Sequence, residues 1–198
     1  MAKNILVLFS GGADSLLMAE WAISHRKDSK VTLLSFLYGQ NHHEEIKYAT
    51  KQSVKFSGDS GWPKHYIKDI SSIFKGLNSN LLDPGSANYP GVHTMHVPGR
   101  NAIFLSIAMS VAEQNGDDEI WIGCDFSDRE NLFPDCYQEW IIRMNAVANI
   151  NGSRPLKIKA PLLGWTKEDV IEELDILGHK IQDIYSGYAT PEATVDNT

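Results

Sequence analysis

The stretch Phe9-Ser-Gly-Gly-Ala-Asp-Ser-Leu-Leu17 sets two glycines, two serines and one aspartate where the apolar run Asn4 to Phe9 gives way to a helical pattern. Gly11 and Gly12 let a backbone turn sharply and come close to a bound group. The N–H groups and dipole of the helix that follows favour an anion at that turn, and Ser10 and Ser15 add hydroxyl donors. Asp14 repels a phosphate unless a cation stands between them. A Mg²⁺ bridging Asp14 and phosphate oxygens resolves the conflict. The sequence has no G-x-G-x-x-G and no Gly-Lys-Ser/Thr, so the dinucleotide and Walker loops are excluded. Without that lysine the loop suits pyrophosphate gripped as a unit, which implies cleavage between the α- and β-phosphates and transfer of AMP. Leu8, Phe9, Ser10, Gly11, Gly12, Ala13, Asp14 and Ser15 form the candidate nucleotide-binding segment. The plainer alternative is a glycine turn opening an ordinary helix.

The elements that must position this turn follow from apolar periodicity. Asn4 to Phe9 and Val31 to Tyr38 are continuous apolar runs of strand length, the pattern of strands covered on both faces. Leu16, Ala19 and Ile23 keep helical spacing between them. His43 to Phe56 is a polar helix closed near Gly58 and Gly61, and Lys64 to Lys68 a third strand. Phe104, Ile107, Ala108 and Val111 mark a helix ended by Asn115-Gly116, and "EIWIGC" (119–124) a further strand. Trp140, Ile141, Met144 and Val147 give another helix, and "LKIKAPL" an extended segment. Thr166 with Asp169 reads as a capping box opening a helix that stops at Gly178. The order predicts an α/β fold: a doubly wound, mostly parallel sheet with helices on both faces. Such sheets bind ligands at the carboxyl ends of their strands near the topological switch point. Two segments, Asn78 to Val97 and Ser127 to Pro134, read as long loops of the lid or binding type.

With 198 residues, 42% apolar and 22% charged, the chain is expected to form one globular domain. Its net charge of −7 disfavours nucleic acid as a partner. Two cysteines, Cys124 and Cys136, in no C-x-x-C spacing suggest a reducing compartment. No signal peptide or membrane span is read, so the expectation is a cytoplasmic protein with no membrane partner. A homodimer is expected only as the usual state of such enzymes.

The S-G-G-x-D-S turn resembles the PP-loop of the N-type ATP pyrophosphatases, an adenine nucleotide alpha hydrolase-like fold. Three later stretches, "YGQNHHEEI" (38–46), "VPGRN" (97–101) and "FPDCYQEWI" (133–141), followed by "KIKAPL" (157–162), resemble the 7-cyano-7-deazaguanine synthase (QueC) family of queuosine biosynthesis. The resemblance runs from about Asn4 to Tyr188. It implies ATP and Mg²⁺ as cofactors, and 7-carboxy-7-deazaguanine and ammonia as substrates. The carboxylate is adenylated, ammonia gives the amide, and a second ATP activates the amide oxygen so that loss of AMP leaves the nitrile. Asp14 and Arg100 are the catalytic candidates. Arg100 offers a fixed fork to phosphate or carboxylate, and Asn101 an amide while capping its helix. Tyr38 and Gln40 lie where adenine could be stacked and hydrogen-bonded. Asp135, Cys136 and His43 are the substrate-side candidates, Asp135 reading the amine and ring N–H of a guanine-like base.

The sequence departs from that family at its C-terminal end. The family's four-cysteine zinc site begins in "SCY", which here reads Ser186-Gly187-Tyr188, and no cysteine follows. A tetrahedral site needs four ligands, so no zinc is expected. The domain is read as 1–185, with 186–198 a tail in place of the zinc lobe. "PDCR" of the family is "PDCY" here, with Tyr137. These losses keep open an enzyme that stops at the amide, one acting on another acid or on tRNA, or a non-catalytic nucleotide-binding subunit.

Overall fold

A computed structural model describes residues 3–24, 29–41, 44–57, 62–86, 93–130 and 133–180. Its strands are β1 (Ile5–Leu8), β2 (Val31–Leu37), β3 (Lys64–Asp69), β4 (Glu119–Trp121) and β5 (Lys157–Lys159). Its helices are α1 (Ala13–Ser24), α2 (Glu44–Ser57), α3 (Ser71–Phe74), α4 (Arg100–Asn115), α5 (Phe126–Glu130), α6 (Gln138–Asn151) and α7 (Lys167–Ile176). The five strands form one sheet in the order β3-β2-β1-β4-β5, and every pairing is parallel. The sheet is therefore wholly parallel where a mostly parallel one was expected.

Residues of β1 alternate between two cores because successive strand side chains point to opposite faces. Ile5, Val7 and Phe9 pack with Leu16, Ala19 and Ala22 of α1, Ala49 of α2 and Val170 and Leu174 of α7. Leu6 and Leu8 pack on the other side with Leu105 and Ala108 of α4 and Ile141 and Ala148 of α6. Both faces of β1 are covered by apolar side chains, which is why β1 reads as an unbroken hydrophobic run, while β2 also buries Thr32 and Ser35. The chain leaves β1 toward β2 and later re-enters the sheet beside β1 as β4. That reversal opens a crevice past the ends of β1 and β4.

Several element ends follow the sequence reading. Thr166 and Asp169 form the capping box of α7, with Asp169 N–H donating to Thr166 Oγ1 at 3.2 Å and Thr166 N–H to Asp169 Oδ2 at 2.8 Å. Gly116 ends α4 at φ 75. Asn101, expected to cap α4, instead lies inside it; Gly99, at φ 67, is the N-cap and makes no side-chain cap. A left-handed glycine after Pro98 turns the chain abruptly, so the helix starts two residues early and Asn101 is buried. Two short helices, α3 and α5, occupy segments read as loop or left unassigned. Gly58, Gly61, His42, His43 and the 186–198 tail lie outside the described residues.

Asp117, just after α4, is 1% exposed, and its Oδ2 has no partner. Burial pushes its pKa up to about 6, against hydrogen bonds from Asn115 and Thr32 and the charge of Arg154. Its folded pKa thus exceeds the unfolded value, so its contribution to stability is full at low pH and is lost as pH rises through about 6. The span corresponds to about 2–3 kcal/mol. Asp117→Asn is expected to be more stable than the wild type by that amount at pH 8, with the gain shrinking to about half at pH 5. Urea denaturation at the two pH values measures it.

Candidate active site

The turn after β1 is built by its own residues. Gly11 has φ +93, and a Cβ there would lie 2.6 Å from the Glu45 carbonyl oxygen and 2.8 Å from the Ala49 nitrogen. Only glycine lets α2 lie this close to the loop. The Ser15 hydroxyl accepts the Gly11 N–H at 3.1 Å and donates to the Gly12 carbonyl at 3.0 Å. Ser10 Oγ accepts the Gly12 N–H at 3.3 Å and stands exposed at the loop's rim. Ser15 therefore braces the turn from inside, while Ser10 faces the opening.

One wall of the crevice is strongly charged. Lys167, the first residue of α7, sets Nζ 2.7 Å from both oxygens of Asp14 and 2.9 Å from Asp125 Oδ2. Burial would lower the pKa of Lys167, but Asp14 and Asp125 outweigh it and hold the ammonium above its ordinary value. Burial pushes Asp14 upward and Lys167 opposes it. With a lysine that stays protonated at hydrogen-bond distance from both oxygens, the carboxylate is ionised. Asp125 also caps α5: Asp128 N–H donates to its Oδ1 at 2.8 Å, and Asp125 N–H donates back to Asp128 Oδ2 at 3.3 Å. Burial and the neighbouring Asp125 and Asp14 raise Asp128 to about 6.

The opposite wall is aromatic. Phe36 stacks on Phe104 with centroids 4.4 Å apart, and Tyr38 meets Phe74 and Phe104 edge-on. Arg100 lies over the rings of Tyr38 and Phe104 at 5.8 and 6.0 Å, and its Nη1 donates to the Tyr38 hydroxyl at 3.4 Å. Its Nε is buried and has no hydrogen-bond partner. Tyr38 is thereby covered on several sides. The Gln40 amide accepts the Tyr38 N–H at 2.9 Å and donates to the Phe36 carbonyl at 3.3 Å, holding the end of β2 in shape.

Between the walls is a cleft of about 580 Å³, a usual size for a small-molecule site. Leu8, Phe9, Ser10, Gly12, Ala13, Asp14, Ser15, Tyr38, Gln40, Arg100, Asn101, Asp135 and Cys136 all line it. Gly11 sits behind the loop, its contribution being the close approach of α2. His43 lies outside the described residues. Phe9 is 1% exposed and belongs chiefly to the core beside Phe56 and His65. Sequence reasoning missed Lys167, Glu45, Asp125 and Asp128, which belong to the same site. The spacing Asp125-x-x-Asp128 was a legible cap signal, and Glu45 lay within the quoted stretch 38–46 without being singled out; Lys167 carried none.

Cys124 and Cys136 are both buried, and the Cys136 side chain and burial hold the Cys124 thiol well above its ordinary value. Among the described residues no group of three or more His, Cys, Asp or Glu side chains could hold a metal ion. The two cysteines, one of them firmly protonated, do not fit a four-thiolate zinc site. The oxygen-rich Asp14 side of the cleft does fit a hard divalent cation brought in by phosphates. No helix among the described residues is long and apolar enough to cross a membrane.

The chain matches the family described as "Queuosine biosynthesis protein QueC" over residues 4–196. It is 34% identical over 211 aligned positions to the 7-cyano-7-deazaguanine synthase of Prochlorococcus marinus (strain MIT 9215), covering 98% of this chain and 90% of that one. The protein of the same name from Alteromonas mediterranea is 33% identical over 179 positions, with 87% and 78% covered. Among solved structures, the U34-tRNA thiolase NcsA from Methanococcus maripaludis superposes with a TM-score of 0.60 at 17% identity, over 96% of this chain and 62% of that one. A "predicted subunit of tRNA methyltransferase" from Methanocaldococcus jannaschii gives 0.56 at 15%, over 87% and 74%. These two likenesses are of fold alone.

Proposed function

The chain belongs to the QueC family of queuosine biosynthesis proteins, and on that premise we propose that it converts 7-carboxy-7-deazaguanine and ammonia to 7-cyano-7-deazaguanine with ATP. The observation that carries this reading is the pairing, in one cleft, of a glycine turn beside Asp14 and Lys167 with an aromatic wall holding Arg100. A carboxylate is a poor electrophile because its oxygen leaves badly; AMP leaves well. The acid's oxygen attacks the α-phosphorus, the bond to the bridging oxygen breaks, and pyrophosphate departs with the electron pair. Ammonia then adds to the acyl carbon and the C–O bond to AMP breaks. A second ATP adenylates the amide oxygen, and loss of AMP with two N–H protons leaves the nitrile.

The residues' parts in this follow from their positions. Loop N–H groups and the Ser10 hydroxyl face the pyrophosphate, and Lys167 is the cation the loop itself lacks. Asp14 would hold a Mg²⁺ brought in with the phosphates, and that ion would supply neutralisation of their charge. Arg100 neutralises the acid or the α-phosphate, and Asp135 and Cys136 border the base. Catalysis then rests on positioning and electrostatic stabilisation. Residues 1–185 act as one unit in this reading, and a homodimer is proposed only as the usual arrangement.

The test is incubation with ATP, Mg²⁺, ammonium and 7-carboxy-7-deazaguanine without added zinc, followed by mass spectrometry. Nitrile with AMP and pyrophosphate is the expected result. Amide alone would make the chain a one-step ligase, and no acid-dependent pyrophosphate release would overturn the reading.

A further inference from the structure

Glu45 is the cleft-lining carboxyl of α2. Its position is fixed by the same close approach that demands Gly11, since its own carbonyl oxygen abuts that residue. The other cleft carboxylates next to the loop are engaged: Asp14 by Lys167, and Asp128 by the Asp125 N–H. Among the described residues the Glu45 carboxyl makes no hydrogen bond or ion pair. Arg100, from the start of α4, faces it from within the same cleft, and the Arg100 Nε is buried without a partner. A donor and an acceptor thus border one space without bonding to each other. A ligand that fits between them presents an oxygen to Arg100 and an N–H to Glu45. An acyl group being converted to an amide is such a ligand.

Resting on the function proposed above, we infer that Glu45 is the proton acceptor at the substrate nitrogen. When ammonia's lone pair forms the C–N bond and the C–O bond to AMP breaks, the nitrogen becomes cationic and gives one proton to the Glu45 carboxylate. When the adenylated amide loses AMP, its nitrogen sheds two protons as the triple bond forms. Glu45 takes one at a time and returns each to solvent. Adenylation itself involves no N–H and makes no demand on it. Among the described residues the groups that face Glu45 are Arg100 and the Tyr38 phenol. Burial pushes Glu45 up to about 7, with Arg100 opposing, so its basic form is lost as pH falls below neutrality.

The experiment compares wild type, Glu45→Gln and Glu45→Asp in two assays, acid-dependent ATP–pyrophosphate exchange and amide formation at constant free ammonia. Glu45→Gln is expected to retain exchange within about threefold while amide formation falls about a hundredfold. The fall in wild-type amide rate below about pH 7 should vanish in Glu45→Gln, and Glu45→Asp should recover about tenfold. Equal loss of both assays in Glu45→Gln would overturn the inference, making Glu45 a binding or structural residue. Unchanged amide formation would overturn it as well. Absence of acid-dependent exchange in the wild type would overturn the substrate reading itself, and the role of Glu45 with it.

Discussion

Lys167→Met is expected to lower kcat/KM for ATP by about a thousandfold, read as acid-dependent pyrophosphate release. The loop after β1 has no lysine of its own, and Lys167 is brought to it by the start of α7, with Nζ 2.7 Å from both Asp14 oxygens. This ammonium lies between Asp14 and Asp125, at the wall of the cleft that the phosphates would reach. Removing it leaves Asp14 and Asp128 bordering the phosphates without this counter-charge. It also leaves Asp125, 0% exposed, without its ion-pair partner, which destabilises a fold by about 3–5 kcal/mol. The double variant Lys167→Met with Asp125→Asn separates the two effects. It should regain most of the urea stability and none of the ATP turnover. A double variant with wild-type KM for ATP would reduce Lys167 to a structural strut.

How far such a site can be read without coordinates depends on how locally its residues act. Gly11, Asp14 and Ser15 are legible because the turn is made within five residues, and strand, glycines and helix start must occur together. The alternating cores of β1 made the sheet legible for the same reason. Lys167 is 153 positions from Asp14, and its own neighbourhood announces only a capped helix. What joins them is α7 returning to the face of the sheet that α1 already covers, which no local pattern encodes. Glu45 looked like one more acid in a polar helix. Its meaning comes from Gly11 drawing α2 against the loop. Asn101 misled in the opposite sense: an asparagine before an apolar helix is a good cap, but Gly99 at φ 67 took that position.

Arg100 should carry the second large effect, and the variant series distinguishes charge from shape. Arg100→Met is expected to reduce kcat/KM for the acid about a thousandfold, Arg100→Lys about thirtyfold, and Tyr38→Phe no more than threefold. Arg100 and Lys167 are the two full cations that line the cleft among the described residues, and they come from different walls. Lys167 is already neutralised by two carboxylates, whereas the Arg100 Nε has no acceptor. A buried donor left so costs about 1–3 kcal/mol, and a bound oxygen recovers it. The rings of Tyr38 and Phe104 hold the guanidinium plane, so a lysine keeps the charge and loses the fork. The 3.4 Å bond to the Tyr38 hydroxyl is long, which is why its loss should matter little. With two ligands to measure, the division of labour becomes testable: Lys167→Met should act chiefly on ATP, and Arg100→Met on the acid. An Arg100→Met enzyme impaired for ATP alone would move the guanidinium from the acid to the α-phosphate.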